Sequence, residues 1–331
     1  GAPVVTTPVR PYVDLAAPGS YDLAAAIRTT GVTDWILAFV VDGGDCRPTW
    51  GGGIRLDDPT VAQRFAELKA LGGKAAISFG GAAGTDLAAS CASPEALAAA
   101  YRQVVDQYQV SRIDLDVEGR SLGRPDIVER RNQALLLLAD GISRDGGALE
   151  VTYSLPVLPT GLGDDAMALL RDAAKRGVHV DTVNVLARDY GPANAPDPAG
   201  RMGRYATDAA RAVHGQLRQL WPALTEAQAW QKLSVTPMIG VDDVPGEVFT
   251  LDDARELARF ANERHLGRLS WWSAARDRPC PTPGATAADP GCSGVLQDPY
   301  AFLQAFVQGS REPAATQPPP SRTTESPHGE R

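Results

Sequence analysis

The chain is short of what several function classes need. Its 331 residues contain no uninterrupted apolar run of the about 18 residues that a membrane-spanning helix takes. Basic residues are outnumbered, 32 Lys and Arg against 40 Asp and Glu, for a formal net charge of -8. Nucleic-acid binding depends on clustered cations that release phosphate counterions, so this balance favours uncharged or cationic partners instead. There are four histidines, His179, His214, His265 and His328, and they lack the HExxH spacing of a zinc hydrolase. No GxSxG elbow occurs, which removes support for a serine hydrolase, and no GxGxxG follows the first apolar run, which removes it for a dinucleotide enzyme. The four cysteines form no CxxC pair, against zinc binding and thiol redox catalysis. The opening residues lack a basic start followed by an apolar stretch, so compartment must be read from the cysteines. Their even number, in Gly- and Pro-rich loop sequence, points to two disulfides and an oxidising compartment.

What is present is an ordinary globular mix, with 44% hydrophobic and 22% charged residues. Eight β-type runs recur along the chain: 11 to 15, 35 to 41, 74 to 79, 112 to 118, 149 to 156, 181 to 189, 232 to 239 and 268 to 274. Amphipathic stretches lie between them, and in one Ile127, Leu135, Leu138 and Ile142 fall on a single helical stripe. Eight strand-then-helix units imply an α/β (β/α)8 TIM barrel over residues 1–309, with a doubly wound open sheet as the alternative. Residues 310–331 have no apolar periodicity and carry a PPP run, which predicts a disordered Pro-rich tail or linker. In such a barrel chemistry sits at the C-terminal ends of the strands.

The fourth run carries Asp114, Asp116 and Glu118 at alternate positions, separated by apolar residues, so all three acids face one side. Neighbouring carboxylates on a buried strand resist full ionisation through repulsion and desolvation. The spacing predicts a proton shared by Asp114 and Asp116, with Glu118 outermost as a general acid able to protonate a leaving-group oxygen. A hard-cation site is the weaker reading, because other strand ends offer few matching acids.

The DxDxE of Asp114, Asp116 and Glu118 resembles the core of glycoside hydrolase family 18, the chitinases, and among them the small, secreted, single-barrel bacterial type. The likeness extends to SFGG (78 to 81), VLPTGL (157 to 162), VNVLARDYG (183 to 191), VTPMIGVDDV (235 to 244), LSWWSAARDRPC (269 to 280) and GCSGVLQDPYAF (291 to 302). It implies retaining hydrolysis of β-1,4-linked N-acetylglucosamine in chitin or chito-oligosaccharides, assisted by the acetamido group of the sugar, an exception to the two-carboxylate scheme. It also implies a secreted monomer with no cofactor, metal, nucleic-acid or membrane partner. Glu118 is then the acid and base, Asp116 orients the acetamido N–H, and Asp114 takes up the shared proton. Ser78 and Tyr12 hydrogen-bond Asp114, Gly80 and Gly81 belong to the substrate-binding wall, and Asp189 and Tyr190 hold the acetamido carbonyl and the sugar. Trp272 is the stacking platform and Met238 lines the same pocket, whereas Trp271, of opposite strand parity, is core.

The chain departs from the family pattern in three places. Ser111 replaces the first acid of the longer DxxDxDxE signature. Leu186 stands for Met. Arg188 occupies a position where relatives carry Tyr or Met, and by parity with Leu186 faces the interior. A guanidinium there favours an ionised Glu118, against the acid's role, unless Asp189 or a sugar oxygen neutralises it. The ten or so residues between Ile239 and Thr250 are too few for the α+β insertion of larger relatives. Cys46 is expected to pair with Cys91, and Cys280 with Cys292. Two alternative functions are an endo-β-N-acetylglucosaminidase acting on N-glycans and a non-catalytic chitin-binding lectin.

Overall fold

Each of the eight apolar runs forms a strand in the computed structural model, which describes residues 6–17, 19, 21–282, 284 and 286–309. The expected tail at 310–331 lies outside the described residues. The strands are β1 (Tyr12–Asp14), β2 (Asp34–Asp42), β3 (Lys74–Gly80), β4 (Arg112–Asp116), β5 (Glu150–Pro156), β6 (Thr182–Ala187), β7 (Leu233–Pro237) and β8 (Arg268–Leu269). All pair in parallel in chain order. The ring closes where Leu269 N–H donates to Pro8 O at 2.9 Å and Arg10 N–H donates to Leu269 O at 2.9 Å. The order is that of a (β/α)8 barrel.

Eight helices alternate with the strands: α1 (Leu23–Thr30), α2 (Pro59–Ala70), α3 (Pro94–Tyr108), α4 (Pro125–Arg144), α5 (Asp164–Arg176), α6 (Met202–Leu220), α7 (Leu251–Arg264) and α8 (Ala301–Gly309). Local chemistry marks their ends. Ser93 caps α3 by accepting from Ala96 N–H, with Pro94 as the first helical residue, and Thr250 and Asp253 form a reciprocal capping box on α7. In α4 the predicted stripe of Ile127, Leu135, Leu138 and Ile142 is buried. The main apolar core lies between strands and helices, where β-branched and aromatic residues on the outer wall of the barrel meet these stripes.

The eighth run is less regular than its sequence suggests. Its ladder stops at Leu269, and pairing resumes only as a bridge between Met238 and Trp272. Between β7 and α7 the chain makes only a two-stranded antiparallel hairpin, Gly240–Val241 with Val248–Phe249. Cys46 is bonded to Cys91 and Cys280 to Cys292. The first bond ties the loop after β2 to the segment after β3, and the second closes a loop after β8.

Candidate active site

The inner wall of the barrel is polar where the outer wall is apolar. In β4, Ile113 and Leu115 join the outer core, while Asp114 and Asp116, 1% and 2% exposed, turn inward. Three hydroxyls converge on Asp114. Tyr12 Oη donates to Oδ2 at 2.8 Å, Ser78 Oγ to the same oxygen at 2.7 Å, and Ser154 Oγ to Oδ1 at 2.5 Å. Behind them Asn184 Nδ2 donates to Ser154 Oγ at 2.9 Å and to Tyr12 Oη at 3.2 Å, and Asn184 Oδ1 accepts from Thr236 Oγ1 at 2.7 Å. Strands β1, β3, β5, β6 and β7 thus all support one carboxylate on β4. Burial pushes Asp114 above the ordinary carboxylate range, and the hydroxyls pull it back.

Asp116 has no such support, and its Oδ1 is buried without a hydrogen-bond partner. Burial raises its carboxyl well above the usual range; the charge of Glu118, hydrogen-bond contact with Glu118 and the charge of Asp114 push the same way, while Arg188 opposes them. Asp116 thus stands between two other acids, Asp114 behind it and Glu118 in front, and each of them raises it. Glu118 stands two residues beyond the end of β4, with Oε2 buried and unpartnered. It opens onto a groove of about 510 Å³ lined also by Leu122, Pro156, Leu186, Arg188 and Asp189.

Arg188 faces inward as parity predicts, with Nη2 3.9 Å from Glu118 Oε1 and Nε 3.8 Å from Asp189 Oδ2. Nearby anions hold the guanidinium firmly charged against the desolvation it suffers. Asp189 takes a left-handed φ of 53°, which ends the alternation of β6. Its N–H donates to Asp242 Oδ2 at 3.1 Å, and the next two N–H groups, of Tyr190 and Gly191, donate to Glu247 Oε1 and Oε2 at 3.0 and 2.9 Å. The small hairpin thereby clasps the loop that carries Arg188. Burial, followed by the hydrogen-bond contact and charge of Asp242, pushes Asp189 up to about 8.

That same turn corrects the expectation for Tyr190. Its side chain leaves the barrel interior and packs edge-on to Tyr205 of α6, with ring centroids 6.2 Å apart. The acids acting on its hydroxyl are Glu247, Asp242 and Asp208, not Asp116 or Glu118. Tyr190 is thus not brought to the carboxylates.

Trp271 and Trp272 divide as strand parity predicts. Trp271 is fully buried and stacks on Phe306 at 4.6 Å, whereas Trp272 is partly exposed and lies against Phe39 at 5.3 Å and Tyr12 at 5.9 Å. Met238 is paired to Trp272 by the backbone bridge and receives Arg188 Nη1 on Sδ at 3.7 Å. Gly80 and Gly81 sit beneath the site. A Cβ on Gly80 would come 2.2 Å from Asp116 O, and one on Gly81 2.8 Å from the Phe39 ring, so only glycine allows this approach.

Sequence reasoning missed Ser154, Asn184 and Thr236. The signal was present, since polar residues recur at every second position of runs otherwise apolar enough to be buried on both faces: Thr152 and Ser154, Thr182 and Asn184, Ser234 and Thr236. Asp242 and Glu247 had no such signal, because they lie 53 and 57 residues from the N–H groups they hold.

No protein-family model matches the chain. It is 36% identical to a probable bifunctional chitinase/lysozyme of Escherichia coli over 311 residues, 91% of this chain and 34% of that protein. It is 37% identical to endochitinase 11 of Metarhizium anisopliae over 273 residues, 81% of this chain and 52% of that one. The chain thus spans about a third and about half of these two relatives. The catalytic domain of a hyperthermophilic chitinase from Pyrococcus furiosus superposes with a TM-score of 0.80 at 31% identity, covering 93% of this chain and 96% of that one. A GH18 chitinase from Pseudoalteromonas aurantia shares the fold, with a TM-score of 0.56 at 15% identity, over 81% of this chain and 94% of that one.

Proposed function

The chain belongs to the chitinases of glycoside hydrolase family 18, and from that premise we propose that it cleaves β-1,4-linked N-acetylglucosamine in chitin or chito-oligosaccharides with retention of configuration. The observation that carries this reading is the Asp116–Glu118 pair. One acid is buried and raised in part by the charge of the other, which opens on the groove with an unpartnered oxygen.

Glu118 donates a proton to the glycosidic oxygen as the bond to the anomeric carbon breaks. A carboxylate nucleophile would have to face the acid across the sugar at about 5 to 5.5 Å. Asp116 ends the strand two residues before Glu118, on the same side of the sugar, so it suits a different role. It accepts the acetamido N–H, and the acetamido oxygen attacks the anomeric carbon. Glu118, now ionised, takes a proton from the water that opens this intermediate. Asp114, held by three hydroxyls, stands behind Asp116 and takes up its proton, which leaves Asp116 charged beside the acetamido N–H. The Trp272 face not covered by Phe39 is the platform for the C–H face of the sugar. Two disulfides support an extracellular setting, and among the described residues no helix is long and apolar enough to cross a membrane.

Proton NMR of early hydrolysis of chito-oligosaccharides tests the reading. β-anomers should appear first, oligomers lacking the reacting acetamido group should resist cleavage, and Glu118→Gln should lower turnover by about 10² to 10⁴. Early α-anomers, or near-normal turnover in Glu118→Gln, would overturn it. Preferential release of glycans from a glycoprotein would favour the endo-β-N-acetylglucosaminidase instead.

A further inference from the structure

Arg188 carries a guanidinium whose hydrogen-bonding capacity is largely unused. Its side chain is 14% exposed and enclosed by Glu118, Asp189 and Met238. The nearest carboxylate oxygens stand at 3.9 and 3.8 Å, ion-pair distances beyond hydrogen-bond reach. Among the described residues its one side-chain hydrogen bond runs to the Met238 thioether at 3.7 Å, a weak acceptor. A guanidinium offers five N–H donors, and those of Arg188 without an acceptor from the chain are open to the groove. The fork lines the groove beside Glu118, placed for an acceptor that the chain does not supply.

Charge narrows the class of that acceptor. Glu118, Asp116, Asp189 and Asp243 all act on Arg188, and Asp242 adds to Asp189. An anionic ligand would meet this acidic field, whereas an uncharged oxygen would meet only the donors.

We propose that Arg188 is a specificity-determining residue that gives up Glu118 to donate to an uncharged acceptor oxygen of the sugar bound at the scissile bond. The inference rests on the chitinolytic reading and deepens it. A guanidinium beside a carboxylate favours its charged form. Once a sugar oxygen draws Arg188 away, Glu118 loses the neighbouring cation that opposes its role as an acid. Binding of the correct sugar thus arms the acid, and the apparent conflict between Arg188 and the role of Glu118 is confined to the empty site.

Three variants, Arg188→Met, Arg188→Ala and Arg188→Lys, test this on N-acetylated chito-oligosaccharides, with folding checked by circular dichroism. Arg188→Met should raise KM by about tenfold or more and also lower kcat. Lysine should recover little of the loss, because it lacks the planar fork. Low-millimolar guanidinium should restore turnover to Arg188→Ala, which leaves room for it, and not to Arg188→Met. Inhibition by N-acetylated and de-N-acetylated tetramers separates the two oxygens available: selective loss of the N-acetylated inhibitor in Arg188→Met identifies the amide carbonyl, and equal loss of both identifies a hydroxyl. Wild-type KM and kcat in both the Met and Ala variants would overturn the inference, as would a folded Arg188→Ala that guanidinium leaves impaired. A wild-type chain inactive on these substrates would instead refute the chitinolytic reading itself.

Discussion

Asp114 and Asp116, two residues apart on one strand, are held in opposite ways: both oxygens of Asp114 receive hydroxyl hydrogen bonds, while Oδ1 of Asp116 has no partner. The difference assigns them different work. Asp114 is anchored by donors from three strands, whereas Asp116 is less firmly held and is raised by the acids on either side of it.

Removing one donor from Asp114 should lower activity more than it disturbs folding. Ser154→Ala and Tyr12→Phe each take a hydroxyl from a buried carboxylate, a loss of about 1 to 3 kcal/mol of support for its charged form. Turnover should fall by about tenfold or more with the fold intact, as measured by steady-state kinetics beside thermal unfolding. A variant with unchanged kcat would show that Asp114 does not act through these hydroxyls.

The clasp on the Arg188 loop depends on Glu247, which is 1% exposed and accepts two backbone N–H groups. Glu247→Gln replaces one acceptor oxygen with an NH2 group that cannot accept. We expect a loss of about 1 to 3 kcal/mol in stability and a raised KM, since the loop positions Arg188 and Asp189. Urea unfolding together with kinetics checks both, and an unchanged KM would separate the hairpin from substrate binding.

Asp189 gives stability a pH dependence of defined sign. Its carboxyl is raised from 3.8 to about 8 in the fold, so between those values the folded chain binds a proton that the unfolded chain has released. Stability from this group is fully present below 3.8, declines as pH rises toward about 8, and then levels. Asp189→Asn should flatten the decline in Tm between acidic and mildly alkaline buffer. If calorimetry finds the same decline in both proteins, the Asp189 carboxyl is not its source.

The two disulfides should contribute unequally. Their sequence separations are 45 and 12 residues, for which chain entropy gives roughly 4 and roughly 3 kcal/mol. Replacing Cys46 and Cys91 by serine should therefore lower Tm more than replacing Cys280 and Cys292. Calorimetry under non-reducing conditions measures the difference, and the reverse order would point to strain or residual structure instead of loop closure.

The short hairpin after β7 leaves one side of the groove without the wall that a larger insertion would build. With only 6% aromatic residues in the chain, few stacking platforms are left to retain a sliding polymer. Digestion should be largely non-processive, with soluble oligomers preferred to crystalline chitin. A strong, sustained excess of disaccharide over odd-length products early in chitin digestion would contradict this.

The eight units, the acidic strand and the outward role of Trp271 were legible in the sequence because each depends on local periodicity. Strand alternation alone puts Asp114, Asp116 and Glu118 on one side, and 3.6-residue spacing alone finds the stripe of α4. Residue spacing also carried Arg188 to the interior by parity with Leu186. The place at the sugar that the resemblance implied for Tyr190 was lost two residues later, because the positive φ at Asp189 broke the alternation and sent Tyr190 outward. Local spacing could not say how the acids differ, either. Strand geometry makes Asp114 and Asp116 equivalent, and they become different only when closure of the barrel brings hydroxyls from β1, β3 and β5 onto one of them. The grip of Asp242 and Glu247 on the Arg188 loop is likewise a product of tertiary structure. A buried carboxylate takes its character from the donors around it, and those donors come from segments of the chain that only folding brings together.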